Sequence, residues 1–145
     1  MNSDEDFQEM VKDLQHKIDR DERRIYSKVV IKEYRNPTNF GFIENPDATG
    51  QIKGPCGDTV RIDLRTEDNI IQDARFWTDG CGASIACGNM LTKMIKGKTI
   101  EHALMIKSDE LTALLDGLPK ENLHCSVLAV NTLYKAIENY KKNME

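Results

Sequence analysis

Three of the four cysteines stand where a thiol could do chemistry. Cys56 lies in Gly54-Pro55-Cys56-Gly57-Asp58, a loop leading into a strand. Cys81 lies in Gly80-Cys81-Gly82, a hinge between a strand and a helix, and Cys125 lies in His124-Cys125-Ser126, in the first turn of the last helix. Cys81 and Cys125 thus fall at helix starts, where unsatisfied amides and the macrodipole favour thiolate. If the three segments converge, Cys56, Asp58, Cys81, His124 and Cys125 form one donor set. Thiolates and imidazole suit zinc, copper(I) or an iron–sulfur cluster, and Asp58 is the hard member. The glycines beside Cys56 and Cys81 let the backbone turn sharply and come close to a bulky centre.

Spacing by itself does not decide this, because the chain has no C-x-x-C pair. On position alone each thiol fits inert core as well as it fits a ligand; the polar, glycine-flanked settings favour chemistry. Cys87 lies six residues after Cys81 in the same helix, a rotation of about 240°, and is read as structural. His16 and His102 have no companions and are read as helix residues at or near the surface. Arg75 and Trp77, opposite Phe76 on a strand, are read as a cross-strand packing pair.

The elements that must position these residues follow from periodicity. Phe7, Met10, Val11, Leu14, Ile18 and Ile25 form the stripe of an amphipathic helix with Ser3 as N-cap, expected to pack on the core. Residues 19–24 are all charged, so that part of the helix must be solvated or held by pairs such as Asp19 with Arg23. A second helix, Tyr26 to Tyr34, stops before Pro37. Residues 40–55 read as a mobile loop, apart from a short strand around Gln51-Ile52-Lys53. Val60, Ile62 and Leu64 alternate with Arg61, Asp63 and Arg65, a strand with one dry and one wet face. Glu67-Asp68-Asn69 is turn chemistry before a second strand through Ala74, Phe76 and Thr78. Helices follow from Gly82 to a stop at Gly97, around 99–105 and 108–115, and from about 122 to 141. The expectation is an α+β fold: a small antiparallel sheet of about three strands, helices packed on one face, a long C-terminal helix, and an extra N-terminal amphipathic helix. Residues 1–24 form the helical extension and residues 25–145 the main domain.

Composition removes several classes of function. With 20 Lys and Arg against 24 Asp and Glu, and a net charge of −4, the chain lacks the cationic surface that phosphate backbones require, so nucleic acid is not expected. No apolar run approaches a membrane span, and the acidic start MNSDEDFQEM is unlike a leader, so the expected location is cytoplasmic.

The motifs, taken in order, resemble a known family. Tyr34-Arg35-Asn36-Pro37 with Gly41, Pro55-Cys56-Gly57-Asp58, Asp79-Gly80-Cys81-Gly82-Ala83-Ser84-Ile85-Ala86, Gly97-Lys98-Thr99 and His124-Cys125-Ser126 are similar to those of the iron–sulfur cluster assembly scaffolds of the IscU and NifU N-terminal type, from about Ile25 to Tyr140. The resemblance implies a non-enzymatic scaffold that takes sulfur from a pyridoxal-phosphate cysteine desulfurase, ferrous iron (Fe2+), and electrons from a ferredoxin-like donor. It would build a [2Fe–2S] cluster and transfer it to apo iron–sulfur proteins. By motif, Cys56, Cys81 and Cys125 would hold the cluster, with Asp58 and His124 as auxiliary ligands and Cys125 as persulfide acceptor. A cluster-bridged homodimer is compatible with it, and zinc (Zn2+) would occupy the same ligands in cluster-free protein. Family members served by an Hsp70-type chaperone carry Leu-Pro-Pro-Val-Lys before the His-Cys pair. Leu118-Pro119-Lys120-Glu121-Asn122 keeps only the first two residues, which speaks against chaperone-assisted release.

The rival reading is a zinc-binding structural or hydrolytic domain built on the same side chains. A zinc deaminase would need H-x-E and P-C-x-x-C, and a zinc hydrolase a base beside an open coordination position; neither pattern is found. A cysteine enzyme with His124 activating Cys125 is disfavoured because adjacent helix residues project about 100° apart.

Overall fold

The structure is a computed structural model that describes residues 3–144. Helices α1 (Ser3–Ile25) and α2 (Lys28–Arg35) precede strands β1 (Ala48–Lys53), β2 (Thr59–Glu67) and β3 (Ile70–Thr78), and four helices follow: α3 (Gly82–Ile95), α4 (Ile100–Leu104), α5 (Ser108–Leu114) and α6 (Leu123–Asn143). The strands form one antiparallel sheet in the order β1-β2-β3. The β2–β3 turn uses Asp68 and Asn69, both at positive φ, which suits a tight hairpin.

Register explains the core. Gly50 pairs with Ile62 and Ile62 with Phe76, so Ala48, Gly50, Val60, Ile62, Leu64, Ala74 and Phe76 share one buried face. Helix α6 covers β1 and β2 on that face, and α3 covers β3. Contact is closest at Gly50, where a Cβ would lie 2.4 Å from the backbone N of Ala136 and 2.5 Å from the carbonyl O of Thr132. Backbone meets backbone there, and neither can yield by rotating a side chain.

The opposite face departs from the expected wet surface. Asp63 is 1% exposed; its carboxylate accepts from the Ile43 amide at 3.0 Å, the Thr49 hydroxyl at 2.9 Å and Arg61 Nε at 2.9 Å. The segment before β1, expected as free loop, is pinned across this face and along β3, with Gly41 N bonded to Phe76 O and Phe76 N to Asn39 O. A polar side chain in an alternating strand reads as solvated, because its partners come from a segment with no periodicity of its own. Trp77 packs against Phe42, in a ring stack 6.4 Å between centroids, and its cross-strand neighbour Arg61 lies over the Phe42 ring.

Helix α1 forms as expected but does not pack as expected: none of its described residues is buried, and Phe7, Met10, Leu14 and Ile25 are each more than half exposed. Asp19 does not pair with Arg23; it pairs with Arg35 of α2 at 2.8 Å, and Arg35 also holds Glu22. The hydrogen bond from Gln15, followed by that from Arg35, pulls Asp19 below the usual carboxylate range. The helix is therefore attached by a polar edge, and its apolar edge is left bare. His16 and His102 are exposed helix residues.

Gly50→Ala should lower stability in urea unfolding by about 3 kcal/mol, at the upper end of overpacking costs, because α6 must lift from the sheet. Gly54→Ala, whose Cβ would press on the movable end of Leu128 at 2.9 Å and meet the Asp58 carbonyl only at an ordinary 3.7 Å, should cost clearly less. Equal effects at the two positions would show that the α6 contact is not rigid.

Candidate metal centre

Sheet register and two helix starts bring the candidate residues to one end of the molecule. Lys53 pairs with Thr59, so residues 54–58 close a tight β1–β2 loop in which Gly54 N bonds to Asp58 O at 2.7 Å and Gly57 N to Gly54 O at 3.0 Å. Gly57 takes φ +94, a conformation that glycine adopts without strain. Cys56 projects from this loop and is exposed.

The β3–α3 hinge is tied to the same end. The Asp79 carboxylate accepts from Thr59 N at 2.8 Å, the Thr78 hydroxyl donates to Thr59 O at 2.8 Å, and Gly80 N donates to Thr78 Oγ1 at 3.0 Å. A Cβ at Gly80 would lie 2.6 Å from Ser84 Oγ and 2.9 Å from Asp58 Oδ2, so any side chain there would wedge between the two. Cys81 is the N-cap of α3, with extended backbone and no side-chain cap bond, and its exposed sulfur is left available.

Cys125 enters from α6. The Ser84 hydroxyl donates to its sulfur at 3.5 Å, and His124 Nε2 lies 3.7 Å away. Asn122, in the cap position of α6, makes no cap bond; its amide nitrogen lies 4.0 Å from Cys81 Sγ. Asn122 thus reaches both Cys81 and Cys125, Ser84 and His124 reach Cys125, and the Asp58 carboxylate lies across Gly80 from Ser84. Cys56 is at the neighbouring loop tip. Among the described residues, no group of three or more His, Cys, Asp and Glu side chains is already drawn together in metal-coordinating geometry.

Two expectations are corrected here. Cys125 is not a thiol activated by a helix terminus: it is 2% exposed, and burial pushes its thiol up, with nearby Cys81 and Cys56 adding to the shift and the hydrogen bonds from Ser84 and Asn122 opposing it. A 3-10 turn, Lys120–Asn122, precedes α6 directly, and Cys125 is the third helical residue, beneath the surface. The separation of about 100° expected for His124 and Cys125 also fails to keep them apart, because the imidazole is long enough to fold back over its neighbour.

Cys87 fits its structural reading: it is fully buried, and burial pushes its thiol far up. Sequence reasoning gave no role to Ser84, Asn122 or Tyr26. Ser84 follows Cys81 by three residues and so shares its side of α3, a spacing that could have marked it. Asn122 precedes Cys125 by three, where a capping role was the obvious reading. Tyr26 had no local signal. Burial raises its phenol, and the electrostatic influence of Cys81 and Cys125 adds to this. Tyr34 packs its ring on Gly82, and its phenol is pushed to about 12 by burial and by Glu22 of α1.

The chain is similar to known proteins. The chain matches the NifU-like N terminal domain over residues 25–145. It is 46% identical over 121 residues to the iron-sulfur cluster assembly scaffold protein IscU 1 of Archaeoglobus fulgidus, covering 82% of this chain and 79% of that one. It is 39% identical over 125 residues to the IscU scaffold protein of Escherichia coli K12, covering 83% and 97%. A solved N-terminal NifU-like protein from Brucella abortus has the same fold, with a TM-score of 0.64 at 19% identity over 81% of this chain and 95% of that one. This chain belongs to the NifU-like N-terminal domain family, the IscU/NifU-type scaffolds.

Proposed function

We propose that residues 25–145 are a scaffold for iron–sulfur cluster assembly, with residues 1–24 an appended helix. Cys56, Cys81 and Cys125 hold a [2Fe–2S] cluster as cargo, and Asp58 and His124 exchange as auxiliary ligands. The observation that supports this reading is the gathering of Cys81, His124 and Cys125 around Ser84 and Asn122 at one end of the sheet, with Asp58 across Gly80 and the exposed Cys56 loop beside them. Relatives that match most of the chain are named as scaffolds for this process.

The sulfur comes from a cysteine desulfurase. The Cys125 thiolate attacks the outer sulfur of the donor's persulfide, the donor S–S bond breaks, and the donor leaves as thiolate. Because Cys125 is buried, the start of α6 must open for that attack. Ferrous iron and electrons from a ferredoxin-like donor complete the cluster, and apo iron–sulfur proteins receive it in the cytoplasm. A homodimer bridging one cluster is one state of this cycle, and zinc occupies the same ligands in cluster-free protein. The carboxylate of Asp58 is the weak member among thiolates, which suits a site that must give up its cargo.

Anaerobic incubation of the full chain with ferrous iron, cysteine and a cysteine desulfurase should produce the visible absorption and circular dichroism of a bound cluster. A chain that stays colourless, or colour that survives serine at Cys56, Cys81 and Cys125 unchanged, overturns the reading. Asp58→Ala should give a longer-lived cluster whose transfer to an apo-ferredoxin is slower by roughly tenfold; unchanged transfer kinetics would remove Asp58 from the site.

In the cluster-free reduced protein, iodoacetamide should modify Cys56 and Cys81 first, Cys125 more slowly, and Cys87 only on unfolding. Since burial raises the Cys125 thiol, less of it is thiolate at pH 8, and its alkylation should climb only above the usual thiol midpoint of about 8.5. Ser84→Ala removes a bond that favours thiolate and should move that midpoint higher still. A midpoint below the usual value would contradict the geometry.

A further inference from the structure

The apolar stripe of α1 has no partner among the described residues, and it is a coherent seam. Phe7, Val11, Leu14, Ile18 and Ile25 follow spacings of four, three, four and seven, with Asp21 at the position that would divide the last interval. This is the heptad pattern of a helix–helix seam. Phe7 is 61% exposed, Leu14 58% and Ile18 43%. The edge of α1 that meets the body is a different one: Gln15, Asp19 and Glu22 lie about 90° round the helix from the stripe, and Asp19 and Glu22 are held there by Arg35. Attachment to α2 thus leaves the seam pointing away.

Charge along α1 indicates what covers it. Residues 3–13 hold five acids and one base, whereas residues 14–25 hold three acids and four bases, so the helix is negative at one end and weakly positive at the other. Two copies side by side in the same direction would stack acid on acid. Two copies in opposite directions bring unlike ends together. Along one border of the seam, Asp6 and Asp13 lie in the first half and Lys17 and Arg24 in the second. An anionic lipid surface is a poor occupant, because residues 3–25 carry a net charge of −3.

We infer that α1 is a self-association helix that pairs with α1 of a second copy of this chain in antiparallel orientation. Phe7 then layers on Ile18 of the second copy and Val11 on Leu14, giving four apolar layers about a two-fold axis, and the border places Lys17 beside Asp6 of the second copy. At 1.5 Å rise per residue, the two α1–α2 junctions lie roughly 35–40 Å apart, at opposite ends of the pair. The two cysteine sites therefore face separate solvent, and this dimer does not share a cluster. It forms in reduced, metal-free protein and is distinct from any dimer bridged by cargo.

The test is the mass of the full chain in solution, with reductant and chelator, by sedimentation or light scattering across micromolar concentrations. A dimer is expected, and Leu14→Asp should return it to the mass of a single chain, while the emission of Trp77, the sole tryptophan, stays unchanged because the sheet is untouched. Zero-length cross-linking of a mixture of isotopically light and heavy chains should join Lys17 of one copy to Asp6 of the other. A monomer at all concentrations overturns the inference, as does a dimer that survives Leu14→Asp. Cross-links from Lys17 to Glu22 of the other copy would show parallel pairing and overturn the orientation.

Discussion

The close approach of α6 to β1 at Gly50 is the constraint on which the arrangement of this domain rests. With no side chain between them, strand and helix backbones come together, and α6 is held in a fixed position along the sheet. Its first turn is then level with the β1–β2 loop, and α3, seated on β3 beside it, starts at the same end. Two helix starts and one hairpin loop meet because each is the end of an element whose middle is fixed by core packing. The candidate site uses that meeting point, and its side chains are placed by residues that never touch a ligand.

Burial and reactivity pull in opposite directions at this site. The role proposed for Cys125 requires a thiolate, yet the folded domain keeps it 2% exposed and its thiol up. Hydrogen bonds from Ser84 and Asn122 oppose the desolvation without overcoming it, and His124 Nε2 lies 3.7 Å from the sulfur. Cys56 and Cys81 are exposed throughout. One sulfur is sheltered and two are presented. The shelter is thin: Leu123 and His124, just before Cys125, are exposed, so a small opening of the helix start uncovers the thiol.

Most of the fold was legible because its signals are local. Alternation at Val60, Ile62 and Leu64, the Asp68-Asn69 turn, the stop at Gly97 and the stripe through Leu133 and Ile137 each report on a single element. What was not legible depended on partners remote in the chain. Asp63 reads as solvent-facing until residue 43 folds across it, and Asp19 reads as paired with Arg23 until α2 offers Arg35. The same holds for the site. Cys56, Cys81 and Cys125 stood out by their glycine and histidine neighbours, whereas Ser84 and Asn122 took their roles only when α3 and α6 were set side by side.

The failure of the α1 stripe to reach the core follows from the same distinction. Amphipathic spacing states that a helix has a face to bury; it carries no information about whose surface buries it. In this chain the sheet's inner face is already filled by α3 and α6, and the outer face by the segment around Phe42 and Ile43. Helix α1 is not among the helices that cover the sheet, and the apolar side chains the rest of the domain exposes, Phe42, Leu123 and Val127 among them, are scattered over other elements. Arg35 then fixes α1 by its polar edge, which orients the helix without covering its stripe. An apolar seam left outside the core in this way is the surface that the proposed pairing of two copies would bury.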